Sequence, residues 1–239
     1  MRQVHCFATP TELMSACADA VSSVLSAAIE LQGIARIALS GGSTPAALYA
    51  ELARRPQALP WSRVRFYFGD ERSVPQDHPD SNFRLAKTHL FTPLSIDPAQ
   101  VFPMVSAPPL SPTAEAARYA ALLAEFAAPN GVPVFDLILN GMGDDGHFAS
   151  LFPGTPALDE RSKTVVVNPV ERLQTERLTL TFPVFEAARR VLFLVSGASK
   201  HAAFTASGQP DSDLPVARLS RARVTDWFID RACAEGSGQ

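Results

Sequence analysis

Three times the chain runs a short apolar segment straight into a polar turn that carries glycine. Residues 34–39 end in Ser40-Gly41-Gly42-Ser43-Thr44-Pro45 before helical spacing resumes over residues 46–52. Residues 64–68 run into Gly69-Asp70-Glu71-Arg72, and residues 135–140 into Gly141-Met142-Gly143-Asp144-Asp145-Gly146-His147, ahead of residues 148–152. Runs of Val, Ile, Leu and Phe this short and continuous read as strands buried on both faces. Their alternation with helical segments predicts an α/β fold: a doubly wound, mainly parallel sheet with helices on both faces. In such a sheet ligands bind beyond the carboxyl ends of the strands. The three turns, with a fourth at Ser196-Gly197-Ala198-Ser199-Lys200 after an apolar run at 191–195, are therefore expected to converge on one site.

Further strands are predicted at residues 164–167 and 178–181. Thr9-Pro10-Thr11-Glu12 reads as a helix start, with Thr9 as N-cap, Pro10 at the first helical position and Glu12 completing a capping box. Leu13, Cys17, Val21, Val24, Ala28 and Leu31 then recur at helical spacing, so one face of that helix is buried. Six of the 20 prolines fall between Pro93 and Pro112, marking an extended connection. With strand–turn–helix units on both sides, it reads as a surface excursion within a single domain spanning residues 1–239, with an interdomain linker as the alternative.

A chain of 239 residues that is 46% hydrophobic has a core large enough to need no disulfide or metal. Twenty-one Lys+Arg against 24 Asp+Glu leave no basic face for a nucleic-acid backbone. Cys6, Cys17 and Cys233 form no C-x-x-C pair and are odd in number, as in a reduced cytoplasmic protein, and are read as packing residues. The apolar stretch 13–31 is interrupted by Asp19 and Glu30 and has no cationic segment before it, which argues against a targeting role. A soluble protein with no membrane partner is expected.

Each turn suggests a chemistry. Small residues at Gly41, Gly42, Ser43 and Thr44 let backbone N–H groups approach an anion at a helix N-terminus, which suits a phosphate. No Gly-Lys-Ser/Thr follows, so this is not a nucleotide-binding P-loop. Arg72 can hold a phosphate bidentately while Asp70 and Glu71 orient it or nearby hydroxyls. The third turn delivers Asp144, Asp145 and His147 together. An imidazole titrating near neutrality can take a proton from water and return it to a leaving group, with Asp145 or Asp144 fixing its tautomer. A divalent cation held by Asp144, Asp145 and His147 is the rival reading, weakened because no second ligand cluster is visible. Lys200 follows its strand and is a good anchoring cation, whereas Arg177 opens its own strand and is a poorer one. No G-x-S-x-G elbow is present, which disfavours an acyl-enzyme.

Taken in order and spacing, residues 39–45, 69–74, 141–143 with 145–147, Ala149-Ser150-Leu151-Phe152-Pro153-Gly154 and Arg177-Leu178-Thr179-Leu180-Thr181 closely resemble the 6-phosphogluconolactonase family. The resemblance implies a Rossmann-like fold and hydrolysis of 6-phospho-D-glucono-1,5-lactone, the second step of the oxidative pentose phosphate pathway. It places the catalytic histidine on His147 and its aspartate on Asp145. Phosphate binding falls on Gly41 to Thr44, Arg72, Lys200 and Arg177. No metal or cofactor is implied, and the partner is a small sugar-phosphate lactone; a monomer and a small homo-oligomer both stay open. Where many relatives carry proline or glutamate before D-G-H this chain has Asp144, a second carboxylate that either attracts a cation or sits in solvent. Two rivals remain. A glucosamine-6-phosphate deaminase or isomerase needs a further carboxylic acid near the histidine, and residues 150–154 supply none. A non-catalytic sugar-phosphate sensor would keep the phosphate turn without needing the Asp145/His147 pair.

Overall fold

A computed structural model describes residues 1–236. Its scaffold is a six-stranded sheet built from β1 (Arg2–Phe7), β2 (Ala35–Leu39), β3 (Val64–Phe68), β5 (Leu137–Asn140), β8 (Arg190–Val195) and β9 (Thr225–Asp230). The strand order is β1-β9-β8-β5-β2-β3, and every neighbouring pair is parallel. From β2 the chain steps outward to β3, then returns to place β5 on the other side of β2. That reversal makes the carboxyl ends of β2 and β5 the switch point, where a crevice must open.

Helices α1 (Pro10–Gln32), α2 (Ser43–Ala53), α3 (Asn82–Ala86), α4 (Pro112–Ala124), α5 (Phe182–Ala187), α6 (His201–Ala206), α7 (Pro215–Ala222) and α8 (Arg231–Glu235) pack around the strands. In α1, Thr9 Oγ1 accepts the Glu12 N–H as expected, but the Glu12 carboxylate reaches the N–H of Ala8, one residue earlier than a capping box requires. Alpha-1 is long and apolar enough to cross a membrane by length and composition. Here Leu13, Cys17, Val21, Leu25 and Ala28 are buried, while of the expected face Val24 is half-buried and Leu31 is exposed, and the helix packs against β2, β9 and α2.

The second sheet departs from the expectation. β4 (Asp70–Arg72), β6 (Val165–Val170) and β7 (Thr175–Leu180) form a separate antiparallel sheet in the order β4-β7-β6. The segment after Phe68 is therefore a strand and not a loop, and residues 164–167 and 178–181 do not join the parallel sheet. Gly69 couples the two layers: its N–H bonds Leu39 O at 2.8 Å in the first, and its carbonyl accepts from Leu180 N at 2.9 Å in the second. Sequence patterning also missed β1 and β9, the latter because all six of its residues, Thr225 and Asp226 included, are buried without an apolar run.

Residues 148–152 do not continue as a helix. Ala149 has φ of 46°, and Phe148 and Leu151 form an isolated bridge, so the segment turns back on itself. The proline-rich stretch lies along the sheet edge: Phe102 N–H bonds Phe66 O at 2.8 Å, and Met104 and Val105 are buried. Cys17 and Cys233 are buried as expected, whereas Cys6 is exposed because neither face of the middle of β1 is covered.

Candidate functional site

Beyond the carboxyl ends of β2, β5 and β8, and roofed by the second sheet, lies a cavity of about 400 Å³. All four glycine-bearing turns reach it. Ser40 to Pro45, Asp70 and Arg72, Gly141 to Gly143 with His147 to Ser150, and Ser196 with Lys200 are in its walls. Arg177 is there too, because β7 runs antiparallel over the site and brings its amino-terminal half to the cavity. Asn82, Phe152 and Arg172 also line it; sequence reasoning placed Phe152 only within a motif, and named neither Asn82 nor Arg172.

The first turn is held from below. Tyr49 donates its hydroxyl to Ser40 O at 2.6 Å and accepts the Ser40 N–H at 2.9 Å, pinning the exit from β2. Gly42 then adopts φ of 103°, a conformation that β-carbon sterics deny to other residues, and starts α2 with no side-chain cap. The first N–H groups of α2 therefore stay open toward the cavity wall.

His147 is fixed on both sides of its backbone. Phe148 is buried, edge-on against Phe182, Phe185 and Phe193, so the residue next to the histidine is locked into the core. Within the loop, Gly143 N–H bonds His147 O at 2.8 Å. A β-carbon at Gly143 would lie 2.0 Å from His147 Nδ1, so only glycine lets the imidazole fold over this turn. Nδ1 meets Asp145 Oδ1 at 2.5 Å, leaving Nε2 as the nitrogen available for chemistry. Partial burial pushes the Asp145 carboxyl up, but the bonds and charge of His147, with the charge of Arg172, outweigh it and hold the group at about 2. Asp145 is thus an anion that favours the tautomer with its proton on Nδ1.

The cations fall into two kinds. Lys200 pairs with Asp144 at 2.6 Å and Arg172 pairs with Asp145. Arg72 and Arg177, by contrast, form no ion pair among the described residues, and each has a buried Nε with no partner. They are also direct cross-strand partners in the β4–β7 ladder. Like charges placed opposite each other on a sheet repel. Burial, followed by the charge of Arg72, lowers the pKa of Arg177. Both guanidiniums line the cavity, where an anion in reach of the two would oppose that repulsion.

Of the two carboxylates read as facing the ligand, only Asp70 does so. Asp70 lines the cavity, accepts from Ser150 Oγ at 2.6 Å and is joined by Asn82 Nδ2 at 3.3 Å. Glu71 is turned inward, since side chains alternate along a strand. It accepts from Ser81 Oγ and from the N–H groups of Arg72, Asn82 and Phe83. Burial pushes its carboxyl up to about 7, against the pull of those backbone donors and with the help of the Asp70 charge. Glu71 holds the backbone that presents Arg72 and Asn82 and is not in the cavity wall. Among the described residues no group of three or more His, Cys, Asp or Glu side chains gathers as for a metal ion.

A family model described as glucosamine-6-phosphate isomerases/6-phosphogluconolactonase matches residues 8–227. The 6-phosphogluconolactonase of Synechocystis is 41% identical over 220 residues, which cover 90% of each chain. The solved 6-phosphogluconolactonase of Trypanosoma brucei superposes with a TM-score of 0.85 at 32% identity, covering 100% of this chain and 99% of that one. A solved monomeric glucosamine-6-phosphate deaminase shares the fold alone, with a TM-score of 0.79 at 22% identity over 97% of this chain and 98% of that one. A match of this extent, on a chain whose four turns meet at one cavity, means that the chain belongs to the glucosamine-6-phosphate isomerase/6-phosphogluconolactonase family.

Proposed function

We propose that the chain is a 6-phosphogluconolactonase, hydrolysing 6-phospho-D-glucono-1,5-lactone to 6-phosphogluconate. The observation that carries the mechanism is the Asp145–His147 contact of 2.5 Å at a cavity that Arg72 and Arg177 also line. His147 Nε2 takes a proton from a water, whose oxygen forms a bond to the lactone carbonyl carbon. The bond from that carbon to the ring oxygen then breaks, and the imidazolium returns its proton to the departing oxygen. Asp145 keeps the imidazole in the tautomer this sequence needs. Arg72, Arg177, Lys200 and the open amides from Gly41 to Thr44 hold the phosphate, and that remote binding energy places the carbonyl against the water. A soluble cytoplasmic enzyme acting on a small sugar-phosphate lactone, with no nucleic-acid or membrane partner, fits this reading, as a monomer or a small homo-oligomer.

The test is lactone loss, with substrate generated in situ by glucose-6-phosphate dehydrogenase and EDTA present, against the uncatalysed background. His147→Ala is expected to lower kcat by about two to four decades. Near-normal turnover by that variant would remove His147 from the mechanism.

One observation favours a second reading. A deaminase or isomerase needs a carboxylic acid near the histidine loop, and although residues 150–154 carry none, Asp70 reaches that loop through Ser150. Ammonia release from glucosamine 6-phosphate would establish it, and binding of 6-phosphogluconate without lactone turnover would instead indicate a sensor.

A further inference from the structure

Arg172 sits in the turn Glu171–Leu173 between β6 and β7, outside every motif in the sequence. Its guanidinium donates to Asp145 Oδ2 and lies 5.0 Å over the ring of Phe152. His147 uses the same two partners: its Nδ1 meets Asp145 Oδ1, and its ring lies 4.1 Å from that of Phe152. The four side chains close into a ring of contacts. Asp145 has one oxygen committed to the imidazole and the other to Arg172, so its rotation is blocked from both ends. Without Arg172 the outer oxygen has only solvent, and the carboxylate is held from one side alone, by the imidazole and the His147 N–H at 3.2 Å.

We infer that Arg172 is a positioning residue of the hydrolytic centre, acting through Asp145 and Phe152 to hold the His147 imidazole, and is not an anchor for the phosphate. The inference rests on the reading of His147 as the base. The charge of Arg172 is already engaged by Asp145, whereas among the described residues Arg72 and Arg177 form no ion pair, the Arg72 guanidinium donating only to the Asp80 carbonyl, so their charge is available to an anion. Its side chain is 55% exposed on a surface turn, so substitution there leaves the core untouched.

Steady-state lactone hydrolysis should be measured for Arg172→Ala, Arg172→Lys, Asp145→Asn and the Arg172→Ala/Asp145→Asn double variant, with His147→Ala alongside. Arg172→Ala is expected to lower kcat about tenfold, the scale of one charge-assisted hydrogen bond, with KM held within about twofold. Arg172→Lys keeps the charge on Asp145 but not the plane on Phe152, and recovers part of the loss. In the Asp145→Asn background, Arg172→Ala should cost less than about twofold, because the path it acts through is already gone. A raised KM with normal kcat, additive losses in the double variant, or wild-type kinetics for Arg172→Ala would each overturn the inference while leaving an inactive His147→Ala intact. Full turnover by His147→Ala would overturn both readings together.

Discussion

The two sheets divide the labour of the molecule in opposite ways. The parallel sheet carries the apolar core: Phe193 and Trp227 stack with ring centroids 4.4 Å apart and both are fully buried. It contributes little charge to the cavity directly and supplies the turns that begin where its strands end. The antiparallel sheet places Arg72 opposite Arg177, buries Glu71 beneath them and carries Arg172 on its connecting turn. One sheet is built to be stable, and the other accepts facing like charges that Asp70, Glu71 and Asp80 offset in part and a bound anion would relieve further. Side chains that serve function without stabilising the fold should therefore cluster in the smaller sheet.

The sharpest contrast comes from Phe193→Ala. Removing a fully buried ring that packs on both Trp227 and Phe148 should cost about 3 to 5 kcal/mol by chemical denaturation. A loss near 1 kcal/mol would mean the scaffold sheet is not the stable half. In the smaller sheet the corresponding large effect depends on pH. Glu71 titrates at about 7 in the folded protein against 4.5 ordinarily, so its protonated form is the one that folding favours. Stability from this group is complete below pH 4.5 and is lost as pH rises through about 7. Glu71→Gln carries no such titration. The stability of the wild type relative to that variant should fall by about 3 kcal/mol across the window. A flat difference would show that the donors around Glu71 keep it ionised throughout.

The inner scaffold was legible because β2, β3, β5 and β8 are short, mainly apolar runs with a glycine within two residues of their ends, features that β1 and β9 lack. His147, Asp145 and the Gly41–Thr44 turn could be placed because each sits directly after such a strand. The second sheet was opaque for a physical reason. Asp70-Glu71-Arg72 is a strand of three charged residues, and although strands were expected at 164–167 and 178–181, Asn168 and Pro169 hid the rest of β6 and no local pattern showed that these strands pair antiparallel apart from the main sheet. Arg177 looked misplaced at a strand start only while β7 was assumed parallel to the rest. Arg172 and Asn82 had no local signal at all, since their roles arise from contacts with Asp145 and Asp70, separated from them by 27 and 12 residues.

Arg177→Ala tests whether the cross-strand arginines exist for the anion. Losing a charge-assisted contact should reduce kcat/KM about ten- to a hundredfold, mainly through KM. The same substitution removes repulsion from Arg72, so thermal unfolding of the ligand-free protein should be unchanged or rise. Function and stability moving in opposite directions is the signature. A variant that loses both would place Arg177 among the structural residues instead.

The smallest effect concerns the one boundary where the two kinds of charge meet. Lys200 is mostly buried against the cavity, yet its ammonium pairs with Asp144, whose side chain is 68% exposed. In the free enzyme Asp144 therefore competes with the substrate phosphate for that cation. Exposed pairs are weak, so Asp144→Asn should lower KM for the lactone, and Ki for 6-phosphogluconate, by only about two- to threefold, with kcat little changed. The gain should fade as salt is raised, because screening weakens the competing pair. Binding that weakens in Asp144→Asn would reverse the assignment: Asp144 would then be holding Lys200 toward the phosphate, making the His147 loop part of the anion site and not only of the hydrolytic centre.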